Sequence, residues 1–297
     1  MLKYLYLILA AALLAACNSN TKPAAENGKV QTDTQNIFAI IGDYGTGNQN
    51  EKDVAALVKS WHPLFIATVG DNSYGDDEDD RLQTNVGDIY RDMVTDSTFF
   101  SCVGNHDHAN DSTNKLDKYK AYFKRARNYH VTMAKNNCYL YFLDSGWDGH
   151  KDGGILDAET QDSLRAWLKA DTLNYFKLVF FHHPPYSDGR HACSSRTQIG
   201  FDTLNVDAVI CGHDHLYERI EAKDPAHKKP VYFVNGSGGA DLYTDHNPDC
   251  IPASMEVKKR NDSVWGALKV VSSANKLDFL FYSTAGVLVD SSSVTRN

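Results

Sequence analysis

Hydrophobic and polar positions follow two alternating patterns along this chain. Apolar runs of strand length occur at IFAII (37–41) and FIATVG (65–70), and the amphipathic stretch EKDVAALVKSW (51–61) lies between them. A strand, a helix and a second strand at this spacing predict a parallel βαβ unit. Because the apolar runs are nearly continuous, we expect a sheet that is covered on both faces.

The alternation continues through most of the chain. Further helices are predicted over 82–94, 116–129 and 158–170, and further strands over 99–104, 138–144, 177–181 and 207–212. After VYFVNGS (231–237), short alternating segments joined by turn residues predict antiparallel strands that complete a second sheet. The sequence shows no internal repeat and no second domain boundary, so we expect one α/β domain over residues 37–292.

The first residues are typical of an exported protein. The apolar run at 5–16 is too short to span a bilayer and predicts a secretory signal. LAAC (14–17) resembles the lipoprotein box of bacteria, in which the chain is cut before the cysteine and that cysteine is lipidated. We expect residues 1–17 to be a lipoprotein signal peptide with Cys17 as the lipidation site; the alternative is a plain signal peptide. Polar residues 18–36 then form a flexible tether.

Such a chain would cross the inner membrane and remain lipid-anchored in the bacterial envelope, facing the periplasm or the cell surface. Of the five other cysteines, Cys102 and Cys211 lie in apolar runs and are predicted to be buried thiols. Cys193 and Cys250 lie in polar sequence and could pair in an oxidising compartment. A formal net charge of −8 argues against a nucleic-acid partner. An anionic substrate therefore needs a locally positive site.

Polar side chains follow five of the apolar runs directly. The motifs at these strand ends are GDYG, GDNSY, GNHD, HHPPY and GHDH. In open α/β sheets, ligands bind beyond the carboxyl ends of the strands, so these side chains should lie close together. Their oxygen and nitrogen donors suit Fe, Zn or Mn. Glycine at the start of four motifs lets the backbone turn sharply. The pattern predicts a metal site.

These five motifs, in this order, resemble the signature of the calcineurin-like metallophosphoesterases. The tyrosine three residues after the second aspartate resembles the purple acid phosphatases, of the tartrate-resistant type. The resemblance implies a four-layer α/β/β/α sandwich with a dinuclear metal site at the carboxyl ends of the strands. It also implies that residues 37–292 are a metallophosphoesterase catalytic domain.

The resemblance also implies a role for each donor. A ferric ion would be bound by Asp43, Tyr74 and His215, and a divalent Fe, Zn or Mn ion by Asn105, His182 and His213, with Asp71 bridging the two. His182 is chosen because the V-x-x-H pattern ends there; His183 either orients a ligand or faces solvent. An ionised Tyr74 offsets the additional charge of a ferric ion, whereas the alternative is that Tyr74 only packs.

The implied reaction is the hydrolysis of small phosphomonoesters by direct attack of a metal-bound hydroxide, as in an acid phosphatase. By resemblance, His191 donates a proton to the leaving group and His106 contacts the phosphate, while Asp107 and His108 orient ligands. One alternative is a phosphodiesterase or nucleotidase of the same superfamily. Another is a non-catalytic surface-binding protein. The oligomeric state stays open.

Overall fold

The computed structural model describes residues 36–75, 81–95, 97–109, 116–146, 154–191, 193–224, 226 and 230–296. The predicted signal peptide with Cys17, and residues 18–35 of the predicted tether, lie outside the described residues. Those that are described belong to one compact unit that runs from Gln35 to Asn297. Within this part of the chain, every helix is too short or too polar to cross a membrane.

Thirteen strands are found among the described residues. They are β1 (Asn36–Ile41), β2 (Ile66–Thr68), β3 (Phe99–Phe100), β4 (Tyr129–Met133), β5 (Cys138–Phe142), β6 (Phe176–Phe180), β7 (Ala208–Cys211), β8 (Tyr217–Ala222), β9 (Val231–Asn235), β10 (Met255–Asn261), β11 (Gly266–Ser272), β12 (Lys276–Ser283) and β13 (Leu288–Thr295). The α-helices are α1 (Gln49–Ser60), α2 (Asp88–Tyr90), α3 (Asn105–Ala109), α4 (Asp117–Phe123) and α5 (Ala158–Ala170).

The strands form two sheets. The first has the order β13-β12-β11-β1-β2-β3 and the second the order β10-β8-β9-β7-β6-β5-β4. Strands β1, β2 and β3 are parallel to one another, as are β5, β6, β7 and β9. The C-terminal antiparallel strands were expected to complete a second sheet. Instead β11 pairs with β1 and extends the first, because the parallel strands themselves divide between the two sheets.

Strand β1 shows how the sequence produces this layering. Phe38 and Ile40 belong to the apolar core between the two sheets, whereas Ala39 and Ile41 pack in a second core beneath α1. Successive side chains of a strand point to opposite faces, so a wholly apolar strand serves two cores at once. Helix α5 packs on the second sheet through Leu164. The result is the expected mixed α/β fold with two sheets between outer helices.

Two predicted helices are shorter or less regular than the sequence pattern indicated. Residues 82–94 form a short π-helix at Gln83–Gly87, the short α2 and a 3₁₀ helix at Arg91–Met93. The helix expected over 116–129 ends at Phe123, because Lys124 takes up a left-handed backbone conformation (φ 52°). In both segments the apolar periodicity correctly indicates which side chains face the core. It does not indicate a continuous helix.

Three strands of the second sheet lacked a sequence signal. Strands β4 and β10 are the two edges of that sheet, and most of their side chains are partly exposed. Strand β8 lies next to β10 and contains Arg219, which pairs with Asp290 of β13 at 2.7 Å. The two edge strands carry exposed polar residues and β8 carries largely buried charged residues, so none of the three forms the apolar runs on which the prediction relied.

The cysteines behave as their sequence context indicated. Cys102 and Cys211 are buried free thiols, and Cys193 forms a disulfide with Cys250 across a Cα–Cα distance of 5.5 Å. The predicted burial of Cys102 and Cys211 is confirmed, and the pairing of Cys193 with Cys250, which the sequence left open, is present. The disulfide joins the segment that follows β6 to the segment that follows β9, and therefore restrains two loops with little regular structure of their own.

A buried carboxylate in α1 organises the loop that follows β1. Glu51 is fully buried, and its Oε2 accepts hydrogen bonds from the backbone N–H groups of Thr46 (2.9 Å) and Gly47 (2.6 Å). Burial raises the pKa of Glu51 to about 8, although these N–H groups oppose the shift. The folded protein therefore keeps this proton up to about pH 8, whereas the unfolded chain loses it near the ordinary glutamate value.

We expect the Glu51→Gln variant to gain stability relative to the wild type as the pH rises from about 5 to 8. Over that range only the folded wild type holds the extra proton, so its free energy of unfolding falls with increasing pH. Denaturant titrations at pH 5, 6.5 and 8 measure the difference. The exposed Glu159→Gln variant is the control and should show no such trend. A constant difference for Glu51→Gln would show that Glu51 is ionised throughout.

Candidate metal centre

The carboxyl ends of five parallel strands meet where the two sheets face each other. Asp43, Asp71 and Asn105 follow β1, β2 and β3 of the first sheet, while His182 and His213 follow β6 and β7 of the second. Nδ1 of His182 lies 2.8 Å from the carbonyl oxygen of Val69 and so joins the two sheets. The predicted convergence of donors therefore depends on how the two sheets pack, which no single motif encodes.

The sharp turns at these strand ends fall on the donors themselves. Asp43 (φ 53°), Asp71 (φ 52°) and His213 (φ 72°) all have left-handed backbones, which non-glycine residues adopt at an energetic cost. Strain of this kind is characteristic of functional sites. Of the four glycines that start these motifs, all among the described residues, only Gly70 has a positive φ (97°).

The other glycines at motif starts allow neighbouring residues to pack close to the backbone instead of forming a turn. A Cβ on Gly104 would lie 2.2 Å from the Asp71 backbone nitrogen, and one on Gly212 would lie 2.4 Å from Oδ2 of Asp43. Any larger residue at either position would displace a carboxylate. The glycines were expected to bring the donors together by turning the chain, but they do so mainly by leaving room.

Three donors form a tight buried group. Nε2 of His182 lies 3.4 Å from Oδ2 of Asp71 and 3.9 Å from Oδ1 of Asp43. One donor atom from each residue falls within 4.8 Å of the others, as a shared metal ion requires. Burial raises the pKa of Asp71, but the adjacent His182 outweighs it and holds that pKa well below its usual range, so Asp71 is ionised.

Tyr74 and His215 also lie close to Asp43. The Tyr74 hydroxyl lies 3.3 Å from Oδ1 of Asp43 and 3.1 Å from Nε2 of His215, and that Nε2 lies 3.5 Å from the same Asp43 oxygen. Burial, together with the charges of Asp71 and Asp43, raises the pKa of Tyr74 well above 10. A phenolate at this position therefore requires a strong positive charge close by.

Asn105 and His213 complete the arrangement on the side of His182. Oδ1 of Asn105 lies 2.8 Å from Nε2 of His182, and the His213 ring centroid lies 5.0 Å from that of His182. Nε2 of His213 is buried, and among the described residues it has no hydrogen-bond partner. Burial and the neighbouring His183 hold the pKa of His213 well below its ordinary value, so its ring is neutral with a lone pair to offer.

The donor set fits the dinuclear centre implied by the sequence motifs. It contains two buried carboxylates, a phenol, an amide oxygen and three imidazoles, which are ligands typical of iron, zinc and manganese. Asp43, the carboxylate that both subsets approach, also accepts hydrogen bonds from the His213 backbone N–H at 3.1 and 3.0 Å. The unpartnered His213 nitrogen and the close carboxylates are the features that a bound cation would satisfy.

A hydrogen-bond network behind the donors holds the strand ends in place. Oδ2 of Asp107 accepts from Gly104 N (2.8 Å) and from Nδ2 of Asn72 (2.8 Å), and the same Nδ2 donates to the Cys102 carbonyl at 2.7 Å. Asn72 also accepts from the Tyr44 hydroxyl at 2.7 Å. Asp107 is predicted from the sequence to orient ligands, whereas Asn72 is not predicted, although it lies inside the GDNSY motif.

His108 and His183 each have a polar partner of their own. Nε2 of His108 lies 3.0 Å from Oδ1 of Asp144, and Nδ1 of His183 lies 2.7 Å from the Ser145 hydroxyl. His183 is buried and its ring lies 4.5 Å from that of His213, which excludes the solvent-facing alternative. His183 thus lies beside the candidate donor His213, while the orienting role of His108 stays a prediction.

His106 and His191 stand at the partly exposed side of the cluster. The His106 ring lies 4.4 Å from that of Tyr74, and its backbone N–H donates to Oδ1 of Asp71 at 2.9 Å. The His191 ring lies 4.3 Å from that of His213, and its N–H donates to buried Asp214 at 2.8 Å. The structure thus brings the seven predicted metal ligands and the two predicted catalytic histidines into one region, together with Asp107 and His108.

Comparisons of sequence agree with this picture. The profile of the family described as calcineurin-like phosphoesterase matches residues 32–217, more than half of the chain. Purple acid phosphatase 21 of Arabidopsis thaliana is 25% identical over 221 residues, which cover 68% of this chain and 49% of the relative. Tartrate-resistant acid phosphatase type 5 of Mus musculus is 26% identical over 259 residues, covering 73% and 76%. The chain thus spans about half the length of the Arabidopsis relative.

Solved structures show the same fold. GAP50, described as the anchor in the inner membrane complex of Plasmodium, superposes with a TM-score of 0.68 at 19% identity and 89% coverage of both chains. A purple acid phosphatase from yellow lupin gives 0.68 at 14% identity, over 89% of this chain and 54% of its own. The chain belongs to the calcineurin-like phosphoesterase family, and purple acid phosphatases are among its relatives.

Proposed function

We propose that this protein is an acid phosphatase that hydrolyses small phosphate monoesters at a dinuclear metal centre. The observation that carries the proposal is the position of Asp43 and Asp71 between two groups of donors. His182 lies near both carboxylates, and Tyr74 with His215 lies near Asp43. The charge of Asp71 also acts on the Tyr74 hydroxyl. Two donor groups that share carboxylates are what a pair of adjacent metal ions needs.

Tyr74 supports the assignment of a ferric ion on one side. We propose that Asp43, Tyr74 and His215 hold Fe(III), that Asn105, His182 and His213 hold a divalent Fe, Zn or Mn ion, and that Asp71 bridges them. The fields of Asp43 and Asp71 oppose ionisation of Tyr74, so a phenolate here selects a highly charged cation. When bound, the ions supply positive charge for the phosphate oxygens and activate a water for attack.

The protein's own contribution to the reaction lies with two histidines. His106 and His191 are partly exposed beside the buried donors, so their imidazoles can reach a substrate while the donors hold the metals. We propose that His106 hydrogen-bonds a phosphate oxygen. We propose that His191, whose backbone is fixed on Asp214, delivers a proton to the oxygen of the leaving alcohol.

We also propose export to the bacterial envelope and anchoring through lipidated Cys17. The Cys193–Cys250 disulfide supports a compartment that is oxidising, because such bonds are rare in the cytosol. The lipid would be the protein's only contact with the membrane. The substrate would be a small phosphate ester. A net charge of −8 is unfavourable for nucleic acid.

Two other functions make different predictions. A phosphodiesterase or nucleotidase of this family would use the same donors with Tyr74 as a packing residue. A surface-binding protein is the second alternative, since the neighbour from Plasmodium is described as an anchor. A binding role alone gives no reason for buried donors with strained backbones, so it is the weaker alternative.

We expect the purified protein to contain iron, to absorb visible light through a phenolate–Fe(III) band, and to hydrolyse monoesters in preference to diesters. Tyr74→Phe should remove the band, because the phenolate oxygen is the source of the absorption. Metal analysis and an absorption spectrum measure the iron and the band. Parallel assays on a phenyl phosphate monoester and diester measure the preference. A colourless, active diesterase with two divalent ions would overturn the proposal.

We expect metal ions to stabilise the wild type but not Asp71→Asn. A cation that binds only the folded protein adds about 2.7 kcal/mol when its concentration is 100 times the Kd, which raises Tm by several degrees. Asp71→Asn keeps the shape but removes a buried anionic donor. Melting curves of metal-depleted protein with added Zn²⁺ or Mn²⁺ measure the shift. Asp278→Asn, on β12, is the control and should retain it.

We expect His191→Ala to lower kcat by about 10²-fold or more for alkyl phosphates. Aryl phosphates should suffer less, because their leaving groups need little protonation. Rate constants for a series of leaving groups in the wild type and the variant measure the difference. His130→Ala, which changes a β4 histidine packed against Trp167, is the control. An equal loss for all leaving groups would contradict the acid role of His191.

A further inference from the structure

The segment after β9 covers the candidate centre, although none of its residues belongs to a recognised motif. The Tyr243 backbone N–H donates to the His215 carbonyl at 3.1 Å, and Nδ1 of His215 lies 2.7 Å from the Asp241 carbonyl. Further along, the Asn247 backbone N–H donates to the Asp188 carbonyl at 2.9 Å. The segment is thereby attached both to a metal donor and to the loop that carries His191.

The ring of Tyr243 contacts both a candidate metal donor and a cation. It stacks on the His215 ring with centroids 4.2 Å apart and an interplanar angle of 12°, and the Arg190 guanidinium carbon lies 4.0 Å from its centroid. The edge contact is with His191, whose ring centroid is 5.4 Å away at 66°.

Three restraints keep this arrangement together. Nε of Arg190 donates to Oδ2 of Asp245 at 2.8 Å, Arg260 donates to the Asp245 carbonyl at 2.5 Å, and the Cys193–Cys250 disulfide joins the two segments. An exposed ion pair such as Arg190–Asp245 contributes little by itself. The cation–π contact with Tyr243 and the covalent link give it a fixed position.

We propose that Tyr243 is a positioning residue that fixes the imidazole planes of His215 and His191 relative to each other. The proposal rests on the function proposed above. The Asp241 carbonyl determines which nitrogen of His215 carries the proton, and the stacked ring of Tyr243 restricts rotation of the imidazole about its bond to Cβ. The same ring supports His191 from the side. One side chain therefore couples the geometry of the metal donors to that of the proton donor.

The role depends on a flat ring and not on the hydroxyl group. Tyr243→Phe keeps the ring, Tyr243→Leu fills similar volume without a flat face, and Tyr243→Ala removes both. We expect Phe to match the wild type. The Leu and Ala variants should release metal to a chelator about 10- to 100-fold faster than the wild type. This is the change typical of losing a residue that orients a metal ligand.

Metal release is measured as the loss of iron from iron-loaded protein mixed with excess chelator, because His215 belongs to the proposed ferric site, and the measurement does not require catalysis. In the same variants, kcat should fall with little change in KM, and alkyl phosphates should suffer more than aryl phosphates. Tyr282→Ala is the control, since that ring packs against Trp61 on another part of the first sheet. Its release rate should equal that of the wild type.

Two outcomes would overturn the inference. If Leu releases metal as slowly as Phe, ring stacking does not position His215. If Phe behaves like Ala, the hydroxyl group matters and the geometric argument is wrong. Absence of phosphatase activity in the wild type would contradict the proposed function only, because the order of the release rates still decides the role of Tyr243 in holding His215.

Discussion

The carboxylate of Asp43 is the group on which the rest of the site depends. It is fully buried at the end of β1, accepts two hydrogen bonds from the His213 backbone N–H, and lies within 4 Å of donor atoms of His182 and His215. These contacts join the carboxyl ends of both sheets around one negative charge. Leaving such a charge without compensation is costly, so the surrounding imidazoles and a bound cation stabilise fold and site together.

Buried acids recur around this centre and have different protonation states. Burial raises the pKa of Asp107 to about 7 and that of Glu218 to about 7, with neighbouring hydrogen-bond donors opposing the shift, whereas His182 holds the pKa of Asp71 low. Acids with raised pKa values keep their protons at mildly acid pH, where an ionised Asp71 still binds cations. At mildly acid pH the region therefore contains both protonated and ionised buried acids.

The site divides into a rigid base and a restrained cover. The base consists of strand ends whose strained backbones and close-fitting glycines leave the donors little freedom. The cover consists of the loops that carry His191 and Tyr243, which are held by the Cys193–Cys250 disulfide and by Arg260 rather than by sheet hydrogen bonds. Loops of this kind change readily between relatives, so they are where substrate preference would be set.

The sequence by itself determined the βαβ alternation, the strands that carry the candidate donors and which residues are candidates, because a buried strand is a local apolar run and its polar end is adjacent in the chain. It did not determine that the parallel strands divide into two sheets, that the edge strands β4 and β10 exist, or that Asn72 and Tyr243 support the donors. These features depend on contacts between segments far apart in sequence, such as the stacking of Tyr243 on His215. Local patterns of apolar residues indicate which side chains are buried. Only the packing of distant segments determines which buried faces contact each other.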